Sequence, residues 1–330
     1  MDNLSLLQNT WFVLVGVLLL GYSMLDGFDL GLGSLFPLIA KKQDEKKALF
    51  NAIWPVWDGN EVWLLTGGGA LFAAFPLAYA TVFSGFYLAL MLVLFSLIFR
   101  AVSIEFWHYD ETRRALWETA FVVGSFLPSL LFGVALGNVI IGIPLSEAGD
   151  FTGTFFTLLR PYPLATGLLG CAVMLLHGSI YAALKTNGDM SRRAAALSKR
   201  FAIVFLVLFA LTFTAAAVWC TDSLKNLPAW GFSLLVLGAA VLNILNSEKK
   251  RFGFLFMLSS VLFAGLWGIA ASVHYPNLVK SLGPGVSLTI YNASSSFLTL
   301  KVMLIIALIG MPLVIGYTIF AYRAFKGKVS

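Results

Sequence analysis

The chain has 330 residues, of which 59% are hydrophobic, 15% aromatic and 12% charged, with a net charge of +6. An average soluble domain carries about a quarter charged residues, so half that fraction leaves too little polar surface to cover a globule in water. Lipid is the natural solvent of such a chain, and the small net charge marks no nucleic-acid partner.

Nine apolar runs reach or approach the roughly 20 residues a helix needs to cross a bilayer. They lie at about 9–38, 49–74, 79–103, 117–142, 162–184, 201–220, 229–246, 253–273 and 298–321. Helices are required because lipid cannot satisfy free backbone N–H and C=O groups. The expected fold is therefore all-α and polytopic, a single integral membrane domain over 1–330. Helices one to four (about 9–142) and five to eight (about 162–273) are expected as two four-helix bundles, with a peripheral ninth helix.

The first run lacks a preceding basic segment and contains Asp26 and Asp29, so it reads as a span rather than a cleaved leader. The second contains Asp58 and Glu61. Each pair is spaced i, i+3 and shares one helix face. The short Lys41–Lys47 connection makes the two helices antiparallel neighbours and sets Asp29 and Asp58 at similar depth, roughly 15 Å from the near surface. Four carboxylates are thus expected to converge inside the protein. Each ionisable group at membrane depth costs at least about 2.5–3.5 kcal/mol, so compensation is needed. Arg100, near the end of the third run, is the expected counter-charge. Such a cluster can relay protons, satisfy itself structurally, or hold a cation. Pro55, one turn before Asp58, removes a backbone hydrogen bond. Gly27, Gly31, Gly33, Gly67, Gly68 and Gly69 permit close helix approach.

Basic residues alternate between loops. Lys41, Lys42, Lys46 and Lys47 follow the first run, and Arg113 and Arg114 the third. Lys185, Arg192, Arg193, Lys199 and Arg200 follow the fifth, Lys249, Lys250 and Arg251 the seventh, and Arg323, Lys326 and Lys328 the ninth. The opposite loops hold Arg160, Lys225 and Lys280. The positive-inside rule puts the N-terminus outside and the C-terminus in the cytoplasm.

Of the three histidines, His177 alone lies well inside a run; His108 falls in a cytoplasmic loop and His274 at the outer end of the eighth run. A lone membrane histidine reads as a hydrogen-bonded interior group before it reads as a haem ligand. Cys171 and Cys220 have neither metal-ligand nor disulfide spacing. Asn138 and Ser294–Ser296 are expected to bond across helices.

The stretch Trp57-Asp58-Gly59-Asn60-Glu61-Val62-Trp63, with Asp26-Gly27-Phe28-Asp29, resembles subunit II of the cytochrome bd quinol oxidases. The likeness continues through Gly67–Pro76, Phe83–Tyr87, Phe99-Arg100, Gly133–Asn138 and Tyr291–Ser295, while about 145–280 matches in hydropathy alone. The resemblance implies a heterodimer in a bacterial cytoplasmic membrane. In it a partner, subunit I, carries two b-type haems and haem d, oxidises quinol and reduces dioxygen. Subunit II itself holds no redox haem. Some members hold a structural quinone in subunit II, and a small single-span accessory subunit is a further implied partner. The resemblance sets Asp58 on a route for cytoplasmic protons. Asp29, Asp26, Glu61 and Arg100 are the further proton-path candidates from the residues themselves, with Trp57, Gly59, Asn60 and Asn138 as motif support. A proton- or cation-coupled secondary transporter is the competing reading. Transporters often repeat their broken helices in both halves, whereas the carboxylates here lie in one half.

Overall fold

The computed structural model describes residues 3–329, the side chain of Asp222 aside, and is helical almost throughout. Its helices are α1 (Asn3–Ile39), α2 (Gln43–Ile53), α3 (Trp57–Ala74), α4 (Pro76–Gly85), α5 (Tyr87–Phe106), α6 (Arg114–Ile141), α7 (Pro161–Lys185), α8 (Gly188–Trp219), α9 (Leu227–Asn246), α10 (Phe252–His274) and α11 (Phe297–Ala324). Eight of them, α1 and α5 to α11, are long and apolar enough to cross a membrane.

Two expected crossings are divided. The run at 49–74 breaks between α2 and α3, because Pro55 has no N–H to continue the ladder and its ring displaces the preceding turn. What remains, α3, opens on Trp57-Asp58-Gly59-Asn60-Glu61 and is too polar in its first turns to count as a full apolar span. The run at 79–103 breaks at Phe86, between α4 and α5. There Phe151, from the loop after α6, lies against Gly85, where a Cβ would press on its ring.

Helix α7 is the most enclosed element: 78% of its most apolar stretch is buried, against 6% for α11. It packs on α8, α6, α1 and α10, and α1 in turn packs on α3 and α6. The two expected groups of four helices therefore meet along α1, α6 and α7, with α11 peripheral against α1 and α3. Lipid tails are as apolar as leucine, so burial alone does not drive this packing. Close approach of small residues does. At the α1–α7 crossing a Cβ on Gly31 would overlap the Met174 carbonyl and meet Gly178. Glycine is the residue that lets these backbones touch.

Around that crossing, Phe28 stacks on Tyr181 with centroids 4.0 Å apart, and Phe36, Phe50 and Phe121 form an aromatic group in which Phe50 is tilted against the other two and Phe36 meets Phe121 edge-on. At the opposite end the loops after α6 and α10 close over the helices. Strands β1 (Asn277–Val279) and β2 (Leu288–Thr289) pair antiparallel, and Ile143 bridges to Ser281. Arg160 donates to Asn138 Oδ1 at 2.9 Å and to the Gly142 carbonyl, while Asn138 Nδ2 donates to Leu158 O at 2.7 Å. Asn138 is thus a buried tie between α6 and the following loop. Ser294 accepts from Gln8 Nε2 at 2.7 Å, and Ser295 donates to Ala73 O at 2.6 Å, fixing the entry to α11.

Candidate functional site

Arg100 is a large, fully buried side chain on α5. Its placement follows from α6: Gly124 lies against the backbone of Ser96 and Arg100, where any Cβ would clash, so α6 seats closely and seals the guanidinium from that side. Arg100 Nη2 donates to Asp26 Oδ1 on α1 at 2.7 Å and to Glu61 Oε1 on α3 at 2.5 Å. Asp26 is fully buried, and the Glu61 side chain keeps 24% exposure. One guanidinium therefore joins three helices, and two carboxylates share a single nitrogen.

Asp29, 1% exposed, lies one turn further along α1. Its Oδ2 accepts from Asn60 Nδ2 at 2.8 Å, and the same amide reaches Leu25 O at 3.0 Å. Asn60 Oδ1 accepts from the Tyr322 hydroxyl at 2.9 Å, which ties α11 to the cluster. Motif spacing marks Asn60 but gives no role for it, and it carries no signal for Tyr322. A tyrosine in the last turns of an apolar helix reads as an interfacial anchor until its neighbour is known. Asp26 Oδ2, Asp29 Oδ1, and Arg100 Nε and Nη1 are buried with no protein partner, so polar capacity is left inside the cluster.

The expectation that all four carboxylates turn inward holds for three. Asp58 is exposed on the surface of the chain. It shares that face of α3 with Gly59, Val62, Leu65, Thr66 and Phe72, all exposed. The reason is helical phase. With Asn60 and Trp63 buried against α1, residues 58, 62, 65 and 69 fall on the opposite side. Trp57 is half-buried and packs on the Phe28–Phe50 aromatic group. A Cβ on Gly59 would meet nothing within the chain.

His177 is fully buried, stacked on Phe256 at 4.2 Å. Its Nε2 lies 3.1 Å from the Met24 carbonyl and its Nδ1 2.7 Å from Ser259 Oγ, so both ring nitrogens are engaged. Among the described residues no three His, Cys, Asp or Glu side chains come together as a metal-binding group. Outside the spans, Glu45 accepts from the backbone N–H of Lys41 and Lys42 at 2.7 and 3.1 Å and pairs with Arg193 of α8 at 2.7 Å. Burial pushes its carboxyl up, but the Arg193 hydrogen bond and the two amides outweigh it and hold the group down to about 2.

Long apolar helices wrapped around a guanidinium–carboxylate cluster define an integral membrane protein that holds ionisable side chains at depth. Residues 7–325 match the family described as cytochrome bd terminal oxidase subunit II, and the chain belongs to that family. It is 36% identical to the probable cytochrome oxidase subunit 2 of Haemophilus influenzae, over all of this chain and 97% of that one. It is 34% identical to the cytochrome bd-I ubiquinol oxidase subunit 2 of Escherichia coli K12, over the same shares. With the cytochrome bd ubiquinol oxidase subunit 2 of Bacillus subtilis the identity is 33%, over 98% and 97%. The first two alignments, of 370 and 367 positions, exceed the length of this chain, so both relatives carry additional segments. A chain of the bd oxidase structure from Geobacillus thermodenitrificans superposes with a TM-score of 0.82 at 18% identity, covering 97% of this chain and 98% of that one; it shares the fold. The chain is thus a subunit of a terminal oxidase of the bacterial cytoplasmic membrane and works with a subunit I partner. Family membership decides against the secondary-transporter reading.

Proposed function

We propose that this subunit carries no haem, supports the haem-bearing subunit I, and helps deliver cytoplasmic protons for the reduction of oxygen by electrons from quinol. The observation that carries the reading is the continuity from open face to buried interior. Asp58, on the surface, lies one helical turn from Glu61, which is bound through Arg100 to the fully enclosed Asp26. Three enclosed or half-enclosed carboxylates face one guanidinium, and an uncompensated buried charge is costly. A proton held among Asp26, Asp29 and Glu61 offsets that cost. Arg100 does not carry the proton; it fixes the carboxylates and keeps the cluster near neutrality. Asn60 orients Asp29, and Tyr322 orients Asn60.

An intramembrane carboxylate on an open face needs cover that lipid cannot supply, so the Asp58 face is assigned to subunit I. One observation supports a haem-free chain: His177, the histidine well inside a span, has both ring nitrogens engaged. The alternating basic loops put the α1–α2, α7–α8 and α9–α10 connections in the cytoplasm. The relatives described as ubiquinol oxidase subunits support a quinol as the electron donor of the complex. The test is Asp58→Asn in the assembled oxidase. Oxygen consumption is expected to fall about tenfold or more with haem content near that of the wild type. Unchanged turnover in fully assembled complex would reduce Asp58 to scaffolding, and loss of haem would assign it to assembly.

A further inference from the structure

A second charged feature lies away from the carboxylate cluster. The turn between α7 and α8, the turn between α9 and α10, and the C-terminal tail enclose a recess of about 980 Å³. Five cations line it, Arg192, Lys199, Lys250, Arg251 and Lys328, with Glu248 as the one lining carboxylate among the described residues. Glu248 is already paired with Lys199 at 2.6 Å, and Arg192 is paired with Asp189 in the first turn of α8, which leaves Lys250, Arg251 and Lys328 without an ion pair among the described residues. Topology alone asks for basic residues near the cytoplasmic surface. It does not ask for cations from three distant segments to converge on one hollow.

The backbone adds to the same field. The recess is bordered by Asn187 and Gly188 at the start of α8, and by Arg251, Phe252, Gly253 and Phe254 at the start of α10. Neither helix has a side-chain cap, so first-turn amides of two long helices stand open at the same hollow. The tail is held in place: Val329 N–H donates to Lys185 O at 2.8 Å, and Lys185 Nζ donates to Phe325 O at 2.7 Å. Lys250 has a left-handed backbone, φ 52°, the one non-glycine to do so among the described residues. It spends conformational energy to turn the chain at this point.

We propose that the recess binds a phosphate-bearing polyanion, of the kind presented by the headgroup of a lipid with two phosphates. A single carboxylate would leave most of the three unpaired cations, Lys250, Arg251 and Lys328, unmatched, whereas two phosphates match these cations on one side and helix amides on the other. Phe254, an exposed apolar side chain, lines the same hollow and offers acyl chains a path along the protein. The same chemistry in solution is inorganic pyrophosphate, and the experiment separates the two sources.

The probe is the purified, fully assembled oxidase in nanodiscs of phosphatidylcholine with a minor fraction of cardiolipin, read by native mass spectrometry of the lipid retained on extraction. Lys250→Ala/Arg251→Ala/Lys328→Ala is expected to weaken cardiolipin retention roughly a hundredfold, since each surface cation contributes about fivefold. Lys41→Ala/Lys42→Ala/Lys47→Ala, removing equal charge elsewhere on the same side, is expected to leave it unchanged. Haem content and thermal midpoint verify assembly. Should the first variant fail to assemble, Gly253→Leu keeps every charge and fills the hollow, because a Cβ there meets nothing within 4 Å; it is expected to lose retention too. In lipid-depleted detergent, a pyrophosphate-dependent rise in the wild-type midpoint that the triple variant lacks would assign the site to a soluble phosphate. Equal retention in wild type and triple variant with no pyrophosphate shift, or equal loss in both triple variants, overturns the proposal.

Discussion

Replacing Arg100 by Gln removes the one positive charge from a site where Asp26 is fully buried and Glu61 three-quarters buried. Both carboxylates rest on the same nitrogen, at 2.7 and 2.5 Å, so their oxygens lie within about 5 Å of each other. At an effective dielectric of about 20, two charges at that distance repel by roughly 3 kcal/mol. Breaking a buried ion pair by removing one partner costs about 3–5 kcal/mol. Because Glu61 keeps some access to the open face, the lower part of that range, about 3 kcal/mol, is expected. The arrangement also fixes the order of rescue. Asp26→Asn on the Arg100→Gln background removes the wholly enclosed charge and is expected to restore more than half of the loss. Glu61→Gln on the same background restores less. The assay is the unfolding midpoint of the purified complex in mixed dodecyl maltoside and SDS micelles, with the single and double variants measured as a cycle. An Arg100→Gln complex within about 1 kcal/mol of wild type, or rescue that fails to favour Asp26→Asn, would refute the account of the cluster.

Three further outcomes follow from the same geometry. Gly31→Val drives a side chain into the Met174 backbone and is expected to destabilise by about 3 kcal/mol or more, because backbone cannot yield as a rotamer can. Gly238→Ala, where a Cβ meets nothing, should stay within about 0.5 kcal/mol in the same micelle unfolding assay. Asn60→Leu strips Asp29 of its donor and should cost about 1–3 kcal/mol, more than the roughly 0.5–1.5 kcal/mol of Tyr322→Phe. Oxygen consumption should fall in the same order, and a Tyr322→Phe enzyme slower than Asn60→Leu would contradict the chain of orientation. Finally, the Glu45 carboxyl is depressed, so the tether from α2 to α8 is fully present above the ordinary carboxylate value near 4.5 and is lost as pH falls through about 2. Glu45→Gln should remove this dependence, read as hydrogen exchange of α2 across that pH window.

The covalent order of the chain was enough to establish the solvent, the helical class and the family. Length and polarity of the apolar runs decide whether a segment can pay its backbone hydrogen bonds in lipid, and that is a local property. The i, i+3 carboxylate pairs, Arg100 as their counter-charge and the bonded state of His177 were legible for a similar reason: an ionisable side chain in an apolar run must find a partner. Legibility stopped at lateral placement. In water the apolar face of a helix announces which side is buried, but in a membrane lipid and protein interior are equally apolar, so the pattern does not say what covers each face. Tertiary packing alone decided that Asp58 faces outward while Asp26, Asp29 and Glu61 do not. It alone brought Tyr322 to Asn60 across 262 residues and gathered cations from two turns and the C-terminal tail into one recess. These arrangements depend on where glycines such as Gly31 and Gly124 let helices touch, which is a property of pairs of helices rather than of any one segment.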